Sequence, residues 1–190
     1  MRLGVVVSGQ GSNLRNLVAR DFDVVAVATN RPSCGGAEFA RERGIPLGEL
    51  SQKGFASAEE RDAAMRDFFL AHGVQLVVDA GYDRVHTAPF LAAFRDRIIN
   101  VHPSLLPEFA GGMDAIEQAL RAGASRTGVT VHVVTDRLDA GPILLQESVP
   151  VLDGDSADTL RQRVHEAEHR VLPAAIRLME ERIAQSPAVG

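Results

Sequence analysis

Four short apolar runs constrain the fold of this chain more than any other feature: Leu3–Ser8, Asp23–Thr29 (DVVAVAT), Gln75–Ala80 (QLVVDA) and Ile98–Val101. A strand with one wet face alternates apolar and polar residues, whereas a continuous β-branched run is a strand covered on both faces. Segments of helical spacing lie between them. Asn13 opens one with Leu14, Leu17 and Val18 on a single face, and Ala37–Arg43 reads as a short helix closed by Gly44, with a short strand near Pro46–Leu50. Ser57–Ala71 is amphipathic, with Ala64, Phe68 and Ala71 on one stripe, and Thr87–Phe94 is a short helix that tolerates Pro89 in its first turn. Strands and helices in alternation predict an α/β fold, a Rossmann-like, mostly parallel sheet with helices on both faces.

Beyond Pro107 the pattern changes. Asp114–Ala122 reads as a helix closed by Gly123, and Thr127–Thr135 and Ile143–Val149 read as strands joined by a turn-rich loop, hence an antiparallel pair. A long C-terminal helix follows, capped by Asp155 or Ser156 and carrying Leu160, Val164, Ala167, Val171 and Leu178. Pro173 is expected to kink or split it. The expected organisation is one domain over 1–184 with a frayed tail over 185–190.

The 190 residues suffice for one well-buried domain, and a net charge of -5 argues against a broad nucleic-acid footprint. The single Cys34 excludes an internal disulfide and fits a reducing compartment. The apolar run at the N-terminus is too short for a signal peptide, and no run is long enough to span a membrane. The expectation is a soluble, cytoplasmic protein without nucleic-acid or membrane partners; oligomeric state is left open.

Chemistry-bearing residues gather where strands end. In Asn100-Val101-His102-Pro103 the amide and the imidazole sit two residues apart, so both side chains leave the strand on one face. One is a neutral hydrogen-bond donor; the other carries a proton near neutral pH. Gly9-Gln10-Gly11-Ser12-Asn13 joins the first strand to the first helix. Glycines admit a ligand close to the backbone, and free N–H groups at a helix start suit a phosphate, although the same pattern serves an ordinary tight turn. Leu14 replaces the third glycine of a dinucleotide fingerprint, and Asn30 stands where its acid would be, which favours a monophosphate. Open parallel sheets bind ligands outside the carboxyl ends of their strands, where both motifs fall. Asp139, in DRLDAGP, is either turn chemistry or, if its loop folds back, a carboxylate beside His102 that favours the protonated ring.

His165-Glu166-Ala167-Glu168-His169 matches the H-E-x-x-H zinc pattern, but no convincing third ligand follows, and no metal is expected. His132 alternates with the valines of TVHVV as a satisfied or surface strand histidine, and His72 and His86 receive no role.

GQGSN after the first strand, INVHPSLLP, TGVTVHVVTDRLDAGPIL and the EAEH segment occur in the same order in the phosphoribosylglycinamide formyltransferases. The chain resembles the short, monofunctional form of that purine-biosynthesis family from about Leu3 to Leu178. The resemblance implies attack by the amine of glycinamide ribonucleotide on the formyl carbon of 10-formyltetrahydrofolate, the co-substrate. It implies Gly11, Ser12 and Asn13 at the substrate phosphate, and Asn100, His102 and Asp139 as the catalytic trio. It implies Glu168 on the glycinamide substrate, and backbone around Tyr82, Asp83, Arg84 and Val85, with Asn100 and the Leu138–Asp139 loop, lining the folate pocket.

The sequence departs from the family pattern at three places. Asp83 stands where an aliphatic residue such as Met is common, and Ala58 where a folate-binding Arg is often found, with Arg61 one turn along. The loop Ala110-Gly111-Gly112-Met113-Asp114 is one residue longer than usual and puts Asp114 near a frequent His. Competing readings are formyl transfer to another amine or hydrolysis of the formyl folate, a zinc hydrolase built on HEAEH, and a noncatalytic nucleotide-binding module.

Overall fold

The structure, a computed structural model, describes residues 1–111 and 114–185. The expected frayed tail, apart from Gln185, and positions 112 and 113 of the long loop lie outside the described residues. Seven strands among these residues form one sheet: β1 (Leu3–Val7), β2 (Val24–Thr29), β3 (Leu47–Glu49), β4 (Leu76–Asp79), β5 (Ile98–His102), β6 (Arg126–Val133) and β7 (Ile143–Pro150). Their order is β3-β2-β1-β4-β5-β6-β7. The pairs from β3 to β5 are parallel; β6 joins β5, and β7 joins β6, antiparallel. The helices are α1 (Ser12–Ala19), α2 (Gly35–Glu42), α3 (Ala58–Ala71), α4 (Ala88–Ala93), α5 (Ala115–Arg121) and α6 (Ala157–Gln185).

Strand periodicity divides the core between two faces. Leu3, Val5 and Val7 of β1 join Ile99, Val129 and Val131 on the face packed by α1, α5 and α6, where Leu14, Leu17, Ile116, Leu160, Val164 and Ile176 are buried. Val6, Val77 and Ile98 point the other way, into Met65, Phe69, Phe90 and Phe94 of the α3–α4 region. Apolar residues on both faces explain the unbroken runs, since each covered side must be apolar to remain dry.

Two expectations need correction. The core face of α3 is Met65 and Phe69, flanked by buried Arg61 and Asp62, while Ala64 and Phe68 are only half-buried and Ala71 is exposed. Turning Met65 and Phe69 inward buries more apolar surface than the alanines offer, and Phe69 meets Phe94 edge-on at 6.3 Å. α6 is not split either: it runs 29 residues through Pro173. Proline has no N–H for the carbonyl four residues back, and the Asn16 side-chain amide of α1 fills that vacancy by donating to the His169 carbonyl at 3.0 Å. An outside donor removes the unpaired polar group that would otherwise end the helix there.

Candidate active site

A cavity of about 590 Å³ opens at the carboxyl ends of β1, β4 and β5, between the β6–β7 loop and α6. Every residue expected at the site lines it: Gly11, Ser12 and Asn13, the Tyr82–Val85 segment, Asn100 and His102, Leu138 and Asp139, and Glu168.

One end is the loop between β1 and α1. Gly11, the residue before α1, has φ 74°, and a Cβ there would lie 2.6 Å from the Gly36 Cα, so only glycine fits both the left-handed backbone and the contact. Asn13 is buried and turned to α6, its amide donating to Glu168 at 2.8 Å while its Oδ1 has no partner. What Asn13 offers an anion is therefore its backbone N–H. Burial pushes the Glu168 carboxyl up to about 7, against the pull of the Asn13 amide.

The reactive end is assembled from two antiparallel strands and a loop. Register pairs Asn100 with His132 and His102 with Thr130, so the period of two puts Asn100, His102 and His132 on the same face. The Asn100 Nδ2 lies 3.2 Å from His132 Nε2. His132 Nδ1 lies 3.1 Å from the Val133 carbonyl, which only accepts, so that nitrogen carries a hydrogen. By the same logic His102 Nε2 donates to the Phe109 carbonyl at 3.1 Å. Its Nδ1 is then the nitrogen left to take and give a proton, 3.7 Å from Asp139 Oδ2.

Asp139 reaches this position because the loop turns back at Gly141, where a Cβ would sit 1.8 Å from the Val133 carbonyl oxygen. Asp139 itself has φ 50°, a left-handed conformation that aspartate tolerates better than most residues. Its Oδ1 lies 3.6 Å from His132 Nε2 and its Oδ2 accepts the Gly111 N–H at 2.8 Å. The His132 ring is the largest influence on the carboxyl; with Gly111 and His102 it outweighs burial and holds Asp139 below the usual carboxylate range.

The wall between the two ends is the Tyr82–Val85 segment. Val85 and the facing Leu138 are 56% and 58% exposed, an apolar pair at the cavity. Tyr82 is buried, burial pushes its phenol up, and its hydroxyl has no partner. Its ring stacks on His86 at 5.0 Å, and His86 stacks on Phe90 at 4.4 Å. The His86 Nε2 is 3.0 Å from both oxygens of Asp79.

Sequence reasoning missed several of these residues. The sequence reads His132 as a satisfied or surface strand histidine; it is buried, and its Nε2 meets both Asn100 and Asp139. Alternation with the core valines puts it on the opposite face, but only the β5–β6 register shows what it meets. The Asp79–His86 pair is seven residues apart and has no sequence signature. Arg61 does not stand in for the arginine missing at Ala58: it is buried, held by Asp62 at 2.7 Å and by Gln52 at 3.0 Å. The Asp114 carboxylate is engaged by Gln118 and Arg121 of its own helix. In the HEAEH segment, His165 and Glu168 line the cavity, and among the described residues no group of three or more His, Cys, Asp or Glu is placed to hold a metal ion.

The formyl transferase family profile matches residues 1–176, and the chain belongs to that family of enzymes. Within it, the chain stands with the phosphoribosylglycinamide formyltransferases. It is 42% identical over 180 residues to the one from Mycobacterium tuberculosis, covering 92% of this chain and 83% of that protein. The crystal structure of glycinamide ribonucleotide transformylase 1 from Symbiobacterium toebii superposes with a TM-score of 0.90 at 42% identity, covering 95% of this chain and 88% of that one. The trifunctional purine biosynthetic protein adenosine-3 of Drosophila melanogaster is 42% identical over 186 residues, and the chain spans 14% of its length.

Proposed function

We propose that this chain transfers the formyl group of 10-formyltetrahydrofolate to the amine of glycinamide ribonucleotide, in purine biosynthesis. The observation that carries this reading is the meeting, in one cavity, of the Gly11–Asn13 helix start with Asn100, His102 and Asp139. The relatives' activity supports the same acceptor.

The ribonucleotide phosphate binds at the backbone N–H groups of Gly11, Ser12 and Asn13, where the helix start favours an anion. Glu168, beside Asn13, contacts the same substrate. The formyl folate lies along Tyr82–Val85 and Leu138–Asp139, against the apolar Val85–Leu138 pair. Attack forms a bond from the amine nitrogen to the formyl carbon and moves the carbonyl electron pair onto oxygen. The Asn100 amide and a protonated His102 donate to that oxyanion, the kind of preorganised contact that lowers such barriers most. As the tetrahedral species collapses, the bond to the folate nitrogen breaks. The proton lost by the amine passes to that nitrogen by way of His102 Nδ1. The Asp139 carboxylate stands 3.7 Å from that nitrogen.

The test mixes protein, 10-formyltetrahydrofolate and glycinamide ribonucleotide and follows tetrahydrofolate release with and without the amine. Amine-dependent release is expected. Release without the amine would make the protein a hydrolase, and no release in either case sinks the proposal.

A further inference from the structure

Asp83, which departs from the family pattern, is the centre of a closed hydrogen-bond ring that no step of the proposed reaction uses. The Asp83 N–H donates to Ser8 Oγ at 3.1 Å, the Ser8 hydroxyl donates to Asn30 Oδ1 at 2.6 Å, and Asn30 Nδ2 donates to Asp83 Oδ1 at 2.7 Å. Ser8 follows β1, Asn30 follows β2 and Asp83 follows β4, so the ring joins the ends of three adjacent strands. A backbone bond from Ser8 N–H to the Gly81 carbonyl at 3.1 Å runs alongside it. The Arg31 guanidinium pairs with the other oxygen of Asp83, and Arg84 stands 3.8 Å from the first. Burial pushes the Asp83 carboxyl up, but Asn30, Ser8 and the two arginines outweigh it and hold the group below the usual carboxylate range.

Two features make the ring more than a strand-end brace. Ser8 is the residue before Gly9, the first residue of the anion loop, and Asp83 sits in the middle of the Tyr82–Val85 wall. The ring therefore ties the anion loop to the wall. Ser8 and Asn30 do not line the cavity, so whatever they contribute to ligand binding acts through the loop and the wall.

The geometry points to Ser8, Asn30 and Asp83 as positioning residues that set the phosphate loop and the formyl-donor wall together, so that opening the ring weakens both substrates at once. This rests on the proposed assignment of the loop to the ribonucleotide and of the wall to the folate. Each bond is neutral or assisted by a single charge and replaces a contact with water. Loss of a buried partner therefore leaves a neighbour unsatisfied and lets both segments drift.

The test uses Ser8→Ala and Asn30→Ala, each of which removes two of the three links without touching a cavity-lining residue. Titration calorimetry reads Kd for glycinamide ribonucleotide and for 10-formyltetrahydrofolate separately, and turnover and thermal melting are recorded beside it. Both Kd values are expected to rise roughly tenfold in each variant, with kcat changed far less. Arg31→Gln removes the charge that meets Asp83 while leaving the three ring bonds in place, and is expected to bind both ligands nearly as the wild type does. A lowered melting temperature with both Kd values unchanged would make the ring purely structural. A rise in only one Kd would confine it to one subsite, and damage from Arg31→Gln equal to that of Ser8→Ala would transfer the role to the ion pair. Each of these outcomes overturns the inference. Wild-type turnover reports on the proposed function independently: a wild type that binds both ligands without transferring the formyl group sinks the function and leaves the ring readable through Kd.

Discussion

Two histidine–aspartate pairs of this protein, Asp79 with His86 and Asp139 with His102, are built differently. Asp79 and His86 are closed on each other, with Nε2 3.0 Å from both carboxylate oxygens and the imidazole stacked between Tyr82 and Phe90. Asp139 and His102 are held apart at 3.7 Å, and the Asp139 oxygens are divided among His102, His132 and the Gly111 N–H. Asp79 is the last residue of β4 and lies in register with Asn100, so the two pairs are separated by about one strand on the same face of the sheet. The difference is one of remaining capacity. A histidine whose carboxylate is fully engaged is a structural unit, and its ring is sealed, with 1% of the side chain exposed. A histidine whose Nδ1 faces a charge without bonding it keeps a site for a proton that must come and go.

The largest effect expected of this contrast is on turnover. His102→Ala and Asp139→Ala should each lower kcat by roughly 10²–10⁴-fold, the range for losing an acid–base group or an oxyanion donor, with substrate affinity changed less. Near-normal kcat in His102→Ala would break the comparison at its main point.

The sealed pair should respond in stability instead. His86→Leu leaves Asp79 buried and unpaired, which costs about 3 kcal/mol and lowers the melting temperature by roughly 10 °C. Replacing both partners, Asp79→Leu with His86→Leu, should recover most of that loss, because a well-packed apolar pair serves as well as a buried ion pair. A double variant no more stable than His86→Leu alone would show that the pair does more than satisfy itself.

Glu168 adds a third kind of buried carboxylate, one whose neighbour is a neutral amide. Its folded value, about 7, lies above its ordinary 4.5, so the native state holds the proton more tightly than the unfolded chain. Stability from this group is fully present below pH 4.5 and is lost as pH rises through about 7, by about 3 kcal/mol at most. Glu168→Gln should flatten that part of the curve, as read by denaturant midpoints across the window; an unchanged slope would assign the pH dependence elsewhere.

The smallest effect sharpens the open pair. His132→Phe keeps a ring of similar shape but removes the nitrogen that meets both Asn100 and Asp139. About a tenfold loss of kcat is expected, near 1.4 kcal/mol, and a wild-type rate would make His132 a bystander.

Much of the fold was legible because burial on two faces writes itself as an unbroken apolar run. The runs at Leu3–Ser8 and Gln75–Ala80 fall on β1 and β4, and the turn-rich loop after β6 does return as an antiparallel partner. The inward face of α3 was not legible, because Ala64, Met65, Phe68 and Phe69 lie so close in sequence that two stripes compete and only packing chooses between them. Nor was the continuity of α6 through Pro173, since its missing donor arrives from Asn16, 157 residues earlier by the arithmetic 173 − 16. At the site, Asn100 and His102 were readable as a pair from the strand period alone, and Gly11 from the turn it must make.

The sequence by itself determined the elements, the strand faces and the residues able to bind an anion, donate to an oxygen or carry a proton, because local sterics and side-chain period decide those. The tertiary structure alone decided which of them meet. Strand register put His132 against Asn100, and the return at Gly141 brought Asp139 to within 4 Å of two rings. The closure of Asp79 on His86, and of Ser8 on Asn30 and Asp83, likewise waited for the sheet to bring its strand ends together. Hydrogen bonds and charge interactions act over a few ångströms, and the sequence does not state which distant residues will come that close.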